Sequence, residues 1–511
     1  MPDRPASSQP LYLAARPGGF LLAGLFVLGA ALRIWHLDAR PLWVDEAFSV
    51  LYGTIDWSEV IELRRAGTNP PLYHLLLSGW VALFGPSVAA IRSLSVLFGL
   101  ASLPLLYALA RRLAGRYVAL VAAGLLAVSN LSVAYAREAR FYALTQMLAL
   151  VASLLLCRLI DRTRRRDAAW YALSASALVW VHTYGWFVLA AQVLWLAAAV
   201  RDIPPDDQRR RRLALLGIWS VGAVVLSFVP WLPVLYQQVS TVLRDYWIPE
   251  PDWVRLAVCF RSILVLDRWL LWPLIGMLGA GLLVKLLDRL GALPGRAAGP
   301  ATRPPAGLPP MRPCHRWGLT AWLTLPILIP FLWSKLCTPI FQVKYAIVAQ
   351  APALILFAAL LARRPLVGLG VLAALTGIWA PNADRDLVVE DFPGATRVLL
   401  EQTDERDTIF VYKDYACFAL DYYLQGQRKI IPVLPEGQMT SSFAPYYRSP
   451  AITYDQMMGQ LADAPARDCW LVLRWGSVRQ RRELLSRVTQ YRAVESIWPL
   501  RAVDVLRLRR R

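Results

Sequence analysis

Two adjacent carboxylates, Asp45 and Glu46, stand in the run Pro41-Leu-Trp-Val-Asp-Glu-Ala-Phe-Ser49, just past the first long apolar segment. Charge at the edge of a bilayer is costly, and where it occurs it tends to mark function. Adjacent residues do not share a helix face, so the two groups take different tasks. One can face a reaction centre while the other orients a loop or a partner. Further polar residues are spaced along the chain: Asn69 and His74 in Asn69-Pro-Pro-Leu-Tyr-His74, Arg137, Glu138, Arg140 and Tyr142 in Tyr135-Ala-Arg-Glu-Ala-Arg-Phe-Tyr142, His182 and Tyr184, and then Lys335, Lys344 and Tyr345. Carboxylates beside cations at one interface suit anion binding next to a base. A phosphate attached to a lipid fits such a place, because its tail stays in the bilayer while its head group reaches the site.

The elements that position these residues are membrane spans. The chain has 511 residues, 57% of them hydrophobic, and several stretches exceed the ~18 apolar residues that signal a span. The net charge of +20 raises the question of nucleic acid, and its placement argues against it. Arginines crowd into short loops: Arg111, Arg112 and Arg116; Arg158, Arg162 and Arg164 to Arg166; Arg201 and Arg209 to Arg212; Arg363 and Arg364. This is the positive-inside pattern of a polytopic membrane protein. The segment 18–36 reads as a retained first span, because Trp35-His-Leu-Asp-Ala-Arg40 follows it in place of a small-residue cleavage site. With the N-terminus cytoplasmic, the spans fall at 88–110, 117–134, 141–160, 168–184, 186–200, 213–236, 268–290, 317–333, 346–362 and 365–380, eleven in all. The apolar piece 70–85 is too short to cross ~30 Å of hydrocarbon and reads as a juxtamembrane or re-entrant helix within an external loop, 38–87. Residues 291–316 read as a cytoplasmic linker. On this topology all the residues singled out above share the outer face. Arginines at span ends also snorkel routinely, and Trp and Tyr belt any membrane interface, so the joint placement carries more than any single residue.

After 380 the composition becomes that of a water-soluble domain. Residues 408–412, 469–474 and 502–507 read as strands, 388–402 and 477–491 as helices, and together as a small extracytoplasmic α/β domain. Cys417 and Cys469 either pair there or stay as buried thiols. The absence of an internal repeat weighs against an inverted-repeat transporter.

The ordered set Leu42-Trp-Val-Asp-Glu46, Asn69-Pro-Pro-Leu-Tyr-His74, Leu83-Phe-Gly85, Ile91-Arg-Ser-Leu-Ser95, Tyr135 to Tyr142, and Pro339-Ile-Phe-Gln-Val-Lys-Tyr345 resembles family 39 of the GT-C membrane glycosyltransferases. That family holds the protein O-mannosyltransferases and the lipid A aminoarabinose transferase. The resemblance implies a GT-C fold over residues 1–380, a polyprenyl-phosphate-sugar donor and inverting transfer at the extracytoplasmic face of a plasma (inner) membrane. It matches Asp45 to the catalytic base and Glu46 to its companion. It matches Arg137, Arg140, Tyr142, Lys344 and Tyr345 to donor-phosphate contacts, while shared placement at the outer face assigns Asn69, His74, Glu138, His182 and Tyr184 to the substrate pocket. Many relatives have His where this chain has Asn69, and the β-trefoil insert of eukaryotic protein mannosyltransferases is absent. The chemistry is self-consistent. Inverting transfer needs one base on the acceptor hydroxyl and cations for charge growing on the phosphate, without the second working carboxylate of glycoside hydrolysis. No metal is predicted, although a divalent ion is chemically able to take part of the cationic role. The acceptor, whether lipid, glycan or protein, stays open. Three rival functions remain: an oligosaccharide ligase or polymerase, a lipid-linked glycan flippase, and a non-catalytic sensor.

Overall fold

The computed structural model describes residues 17–244, 248–265, 311–362, 390–439, 441, 443–463, 468–474 and 478–510. The expected spans at 268–290 and 365–380 and most of the linker at 291–316 lie outside the described residues. Among the described residues five helical stretches are long and apolar enough to cross a membrane: Val88–Ala127, Tyr142–Arg162, Gln208–Ser240, Pro313–Leu336 and Val343–Leu361. Three shorter apolar helices, Gly19–Ile34, Leu72–Phe84 and Gly185–Arg201, accompany them.

In chain order the membrane part holds α1 (Pro17–Ile34), α2 (Val44–Thr54), α3 (Trp57–Ala66), α4 (Leu72–Phe84), α5 (Val88–Ala127), α6 (Asn130–Ala136), α7 (Tyr142–Arg162), α8 (Arg165–Val181), α9 (Gly185–Arg201), α10 (Gln208–Phe228), α11 (Leu232–Arg244), α12 (Trp253–Ile263), α13 (Pro313–Leu336) and α14 (Gln350–Leu361). The loop 38–87 is therefore helical. Asp56 and Glu59 form a capping box that starts α3, and Gly85 with φ of 83° ends α4.

The expected span 117–134 is corrected. Gly115, with φ of 87°, kinks α5, the helix stops at Ala127, and Ser129 starts the separate helix α6 by accepting from Ser132 N at 3.3 Å. The break is held by Arg33 of α1. Its Nη1 donates to Ala127 O at 3.0 Å and its Nη2 to Leu126 O at 3.1 Å, carbonyls in the last turn of the broken helix. From Arg33 a buried polar chain runs on through Ser132 Oγ at 3.0 Å, Gln146 Oε1 at 3.2 Å, Gln350 at 3.0 Å and back to Ser129 Oγ at 2.6 Å. Side-chain hydrogen bonds of this kind join helices inside a bundle.

α9 and α13 pack through one close approach. Trp195 is fully buried, donates from Nε1 to His315 Nδ1 at 3.1 Å, and lies flat on Gly318.

The C-terminal part builds one five-stranded sheet in the order β2-β1-β3-β5-β4 from β1 (Thr408–Tyr412), β2 (Ile430–Val433), β3 (Cys469–Arg474), β4 (Arg492–Pro499) and β5 (Val503–Arg510). β1 pairs in parallel with β2 and β3, and β5 pairs antiparallel with β3 and β4. α15 (Phe392–Gln402) and α16 (Cys417–Leu424) cover one face, and α17 (Tyr454–Asp463) and α18 (Val478–Tyr491) the other. The strands β2 and β4 were not among those expected. Cys417 and Cys469 sit in the cores on opposite faces of the sheet, which lies between them. Val44 and Ala47 of α2 join the first of these cores, so the sheet is docked directly onto the helix that carries Asp45.

An added Cβ at Gly318 falls 2.1 Å from the Trp195 ring, whereas nothing lies within 4 Å of one at Gly222. Gly318→Ala is expected to destabilise the purified protein by about 1–3 kcal/mol through overpacking. Gly222→Ala should leave the thermal unfolding midpoint in detergent unchanged. Equal midpoints for the two variants would refute the close approach.

Candidate active site

Asp45 and Glu46 occupy the first turn of α2, where exposed amides favour negative charge. Trp43, the residue before the helix, offers no side-chain cap. The cap comes from 346 residues away: Glu390 Oε2 accepts from Val44 N at 2.9 Å. Its other oxygen accepts from Arg474 Nε at 2.7 Å, and Tyr423 takes Leu42 N at 2.7 Å. The sheet thus holds the start of the helix.

Glu46 is 1% exposed and both its oxygens are committed. Arg92 grips it through Nε at 2.8 Å and Nη2 at 2.6 Å, and Ala139 N donates to it at 3.0 Å. The same guanidinium donates to the carbonyls of Leu37, Arg40 and Pro41 at 2.8, 2.9 and 3.2 Å. Both oxygens of Glu46, grouped with Asp45 as catalytic from the sequence, are thus occupied by Arg92 and the Ala139 amide.

Asp45 differs. Its side chain is 32% exposed, and Arg140 Nη2 stands 3.5 Å from Oδ2. Arg140 Nη1 also donates to the Asp45 carbonyl at 3.2 Å. Beside it, Lys344 Nζ lies 5.6 Å from the ring centre of Trp43 and 5.7 Å from those of Tyr142 and Tyr345, an aromatic cage around a cation. Tyr345 stacks on Tyr142 and meets His182 and Tyr184 at ring distances of 4.7 and 5.2 Å. Asp45, Arg140, Tyr142, His182, Tyr184, Lys344 and Tyr345 thus converge.

Arg137 is directed elsewhere. Its Nη2 donates to the carbonyls of Trp35 and His36 at 2.9 and 3.0 Å, which fastens the end of α1. Asn69 and His74 belong to a neighbouring cluster. The Asn69 carbonyl accepts from Arg64, and the His74 ring packs 4.4 Å from Tyr52 with neither nitrogen hydrogen-bonded. Glu138 is buried with Oε2 unpartnered, and burial, helped by Glu46, pushes its carboxyl up to about 8 against the opposing cations Arg40, Lys344 and Arg140. Among the described residues no three His, Cys, Asp or Glu side chains come together as a metal site. Arg92, Glu390 and Arg474 were missed from the sequence. Arg92 carried a signal, being a cation near the start of a long apolar segment, whereas Glu390 carried none.

Part of the chain matches a glycosyltransferase family model, and its fold is shared with a solved membrane protein, ArnT. Residues 68–236 match the family of dolichyl-phosphate-mannose-protein mannosyltransferases, and the chain is related to these enzymes and to ArnT. ArnT from Cupriavidus metallidurans, bound to undecaprenyl phosphate, aligns over 97% of this chain and 98% of its own at 16% identity and a TM-score of 0.52. The Archaeoglobus fulgidus oligosaccharyltransferase aligns over 80% of this chain and 62% of its own, with 12% identity and a TM-score of 0.45. The mycobacterial arabinofuranosyltransferase AftD aligns over 98% and 40%, with 15% identity and a TM-score of 0.45. No curated protein sequence matches the chain.

Two substitutions test these assignments. Glu46→Gln leaves the Arg92 charge buried without its partner and is expected to cost about 3–5 kcal/mol, read as a lowered unfolding midpoint. Glu138 keeps its proton in the folded protein up to about 8, while the unfolded chain loses it in the ordinary carboxylate range. Between those limits the folded state binds more protons, so this group's contribution to stability falls as pH rises. Glu138→Gln should flatten the dependence of the unfolding midpoint between about pH 5 and about pH 8. An unchanged slope would remove the buried proton.

Proposed function

We propose that the protein transfers a monosaccharide from a polyprenyl-phosphate donor to an acceptor hydroxyl, with inversion. Asp45 is the base. The observation that carries this reading is the pairing of an accessible carboxylate with two cations: Asp45 beside Arg140, and Lys344 caged by Trp43, Tyr142 and Tyr345. The acceptor proton passes to the Asp45 carboxylate as the acceptor oxygen bonds to the anomeric carbon. The bond from that carbon to the phosphate oxygen breaks on the opposite face, and the polyprenyl phosphate leaves with the electron pair. Arg140 and Lys344 stabilise the charge that grows there, and Tyr142, Tyr345, His182 and Tyr184 line the site. Arg137 acts by fixing the loop that carries Arg140. The undecaprenyl phosphate held by ArnT in the same fold supports a donor of this class.

The arginine loops at the opposite end of the bundle support a cytoplasmic side for that end. This reading sets the site, and the domain 381–511, on the extracytoplasmic side of a plasma membrane. The C-terminal domain, docked on α2, borders the route by which a lipid, glycan or protein acceptor reaches Asp45.

Proteoliposomes given a panel of radiolabelled polyprenyl-phosphate monosaccharides and a mixed acceptor extract provide the test. Asp45→Asn should lower transfer by at least about 100-fold, the contribution of a positioned base, with unfolding midpoint and donor binding unchanged. Lys344→Gln should weaken donor binding. Unaltered turnover in Asp45→Asn would remove Asp45 as the base. Absence of turnover with every monosaccharide donor would favour an oligosaccharide ligase or a flippase.

A further inference from the structure

At the end of the bundle away from Asp45, α7 finishes at Arg162 and α8 begins at Arg165. The arginines there fall into two sets. Arg112 and Arg312 pair with the Asp161 carboxylate, and Arg209 Nη2 donates to the carbonyls of Ile160 at 2.6 Å and Asp161 at 3.1 Å. These three hold the fold. Arg158, Arg162, Arg164 and Arg166 do not: among the described residues their side chains have no ion pair and no hydrogen bond. All four instead line one cavity of about 360 Å³, together with Asp167 and Trp170.

Two features of this cavity go beyond what an arginine-rich loop requires. Four like charges around one space repel each other unless an anion lies between them. Asp167 is only 8% exposed, and its Oδ2 has no hydrogen-bond partner. An unsatisfied buried carboxylate oxygen is costly, and it is relieved by a donor and not by an anion. The complement of this lining is therefore a phosphate with a hydrogen-bond donor a few atoms away. Guanidinium groups match phosphate oxygens in geometry and charge. Trp170, half exposed at the mouth, suits the boundary between head groups and acyl chains. The cavity lies where spans end, so a ligand with its tail in the bilayer reaches it without leaving the membrane.

We propose that this cavity binds a phospholipid of the leaflet at that end, one whose head group carries a hydroxyl or ammonium donor beside the phosphate. The phosphate sits among Arg158, Arg162, Arg164 and Arg166, and the donor on Asp167. Basic pockets between the ends of membrane helices are suited to such head groups.

The full-length protein, reconstituted in vesicles and released into detergent for native mass spectrometry, tests this with three lipids in a phosphatidylcholine background. Phosphatidylglycerol has phosphate and hydroxyls, phosphatidylmethanol has the same charge without a hydroxyl, and phosphatidylethanolamine has the ammonium. The wild type should retain one phosphatidylglycerol or phosphatidylethanolamine in preference to phosphatidylmethanol. Arg158→Gln combined with Arg162→Gln should lower retention of phosphatidylglycerol at least about 10-fold, as expected when charge-assisted phosphate contacts are lost. Asp167→Asn should abolish the preference over phosphatidylmethanol. Both variants alter exposed or unpartnered groups, and an unchanged unfolding midpoint shows that each is folded. Retention of phosphatidylcholine equal to that of phosphatidylglycerol, or retention unaffected by the arginine variant, overturns the proposal. Displacement of phosphatidylglycerol by millimolar inorganic phosphate overturns it in favour of a soluble phosphate ligand.

Discussion

The buried pair of Glu46 and Arg92 is the constraint on which the site rests. Both side chains are 1% exposed, and a charge in that position is tolerable only with a partner of matched geometry. Arg92 supplies that geometry from α5. Its remaining donors take three carbonyls of the segment between α1 and α2, and the second partner of Glu46 is an amide in the loop between α6 and α7. One ion pair therefore fixes four pieces of chain. Asp45, next in sequence to Glu46, has no separate freedom: with α2 held, its carboxylate is delivered to Arg140. The two acids differ as their neighbouring positions on a helix demand, one buried against Arg92 and the other partly exposed beside Arg140.

A second layer of control lies in how the cations are kept. Arg140 is tied to the Asp45 carbonyl as well as to its carboxylate, so the base and one of its cations move together. Lys344 is held by ring faces, which attract a cation without neutralising it. The two cations are thus held differently, one by the oxygens of Asp45 and one by ring faces.

Much of this was legible in the sequence, for physical reasons. Asp45, Arg140, Tyr142, Lys344 and Tyr345 stand out because charge and phenol at span ends break the hydropathy pattern, and the fold brings them together. Helices α4, α7 and α9 follow from apolar length. What could not be read was the direction of each side chain. Asp45 and Glu46 are indistinguishable in composition, and only the partner Arg92 separates their roles. Arg137 and Arg140 look equivalent in the motif, yet one faces carbonyls of α1 and the other faces Asp45. The break at Ser129 depends on Arg33, almost a hundred residues earlier, and no local pattern reports it. Strand β2 is four residues long with Pro432 inside it, a composition tolerated at a sheet edge but a poor signal for a strand.

The cap that Glu390 places on α2 bears on modularity. A tail beyond a last span invites treatment as a detachable unit, to be trimmed for crystallisation or exchanged between relatives. Here the cut cannot be made at the membrane. The helix that carries Asp45 begins on an amide whose acceptor among the described residues belongs to that tail, and the acceptor is itself held by Arg474 at the end of β3. A hybrid that keeps the bundle but imports another tail inherits an uncapped helix start unless a carboxylate returns at that point. The unit that can be transplanted is the bundle with its sheet, and the boundary seen in composition is not a boundary in mechanics.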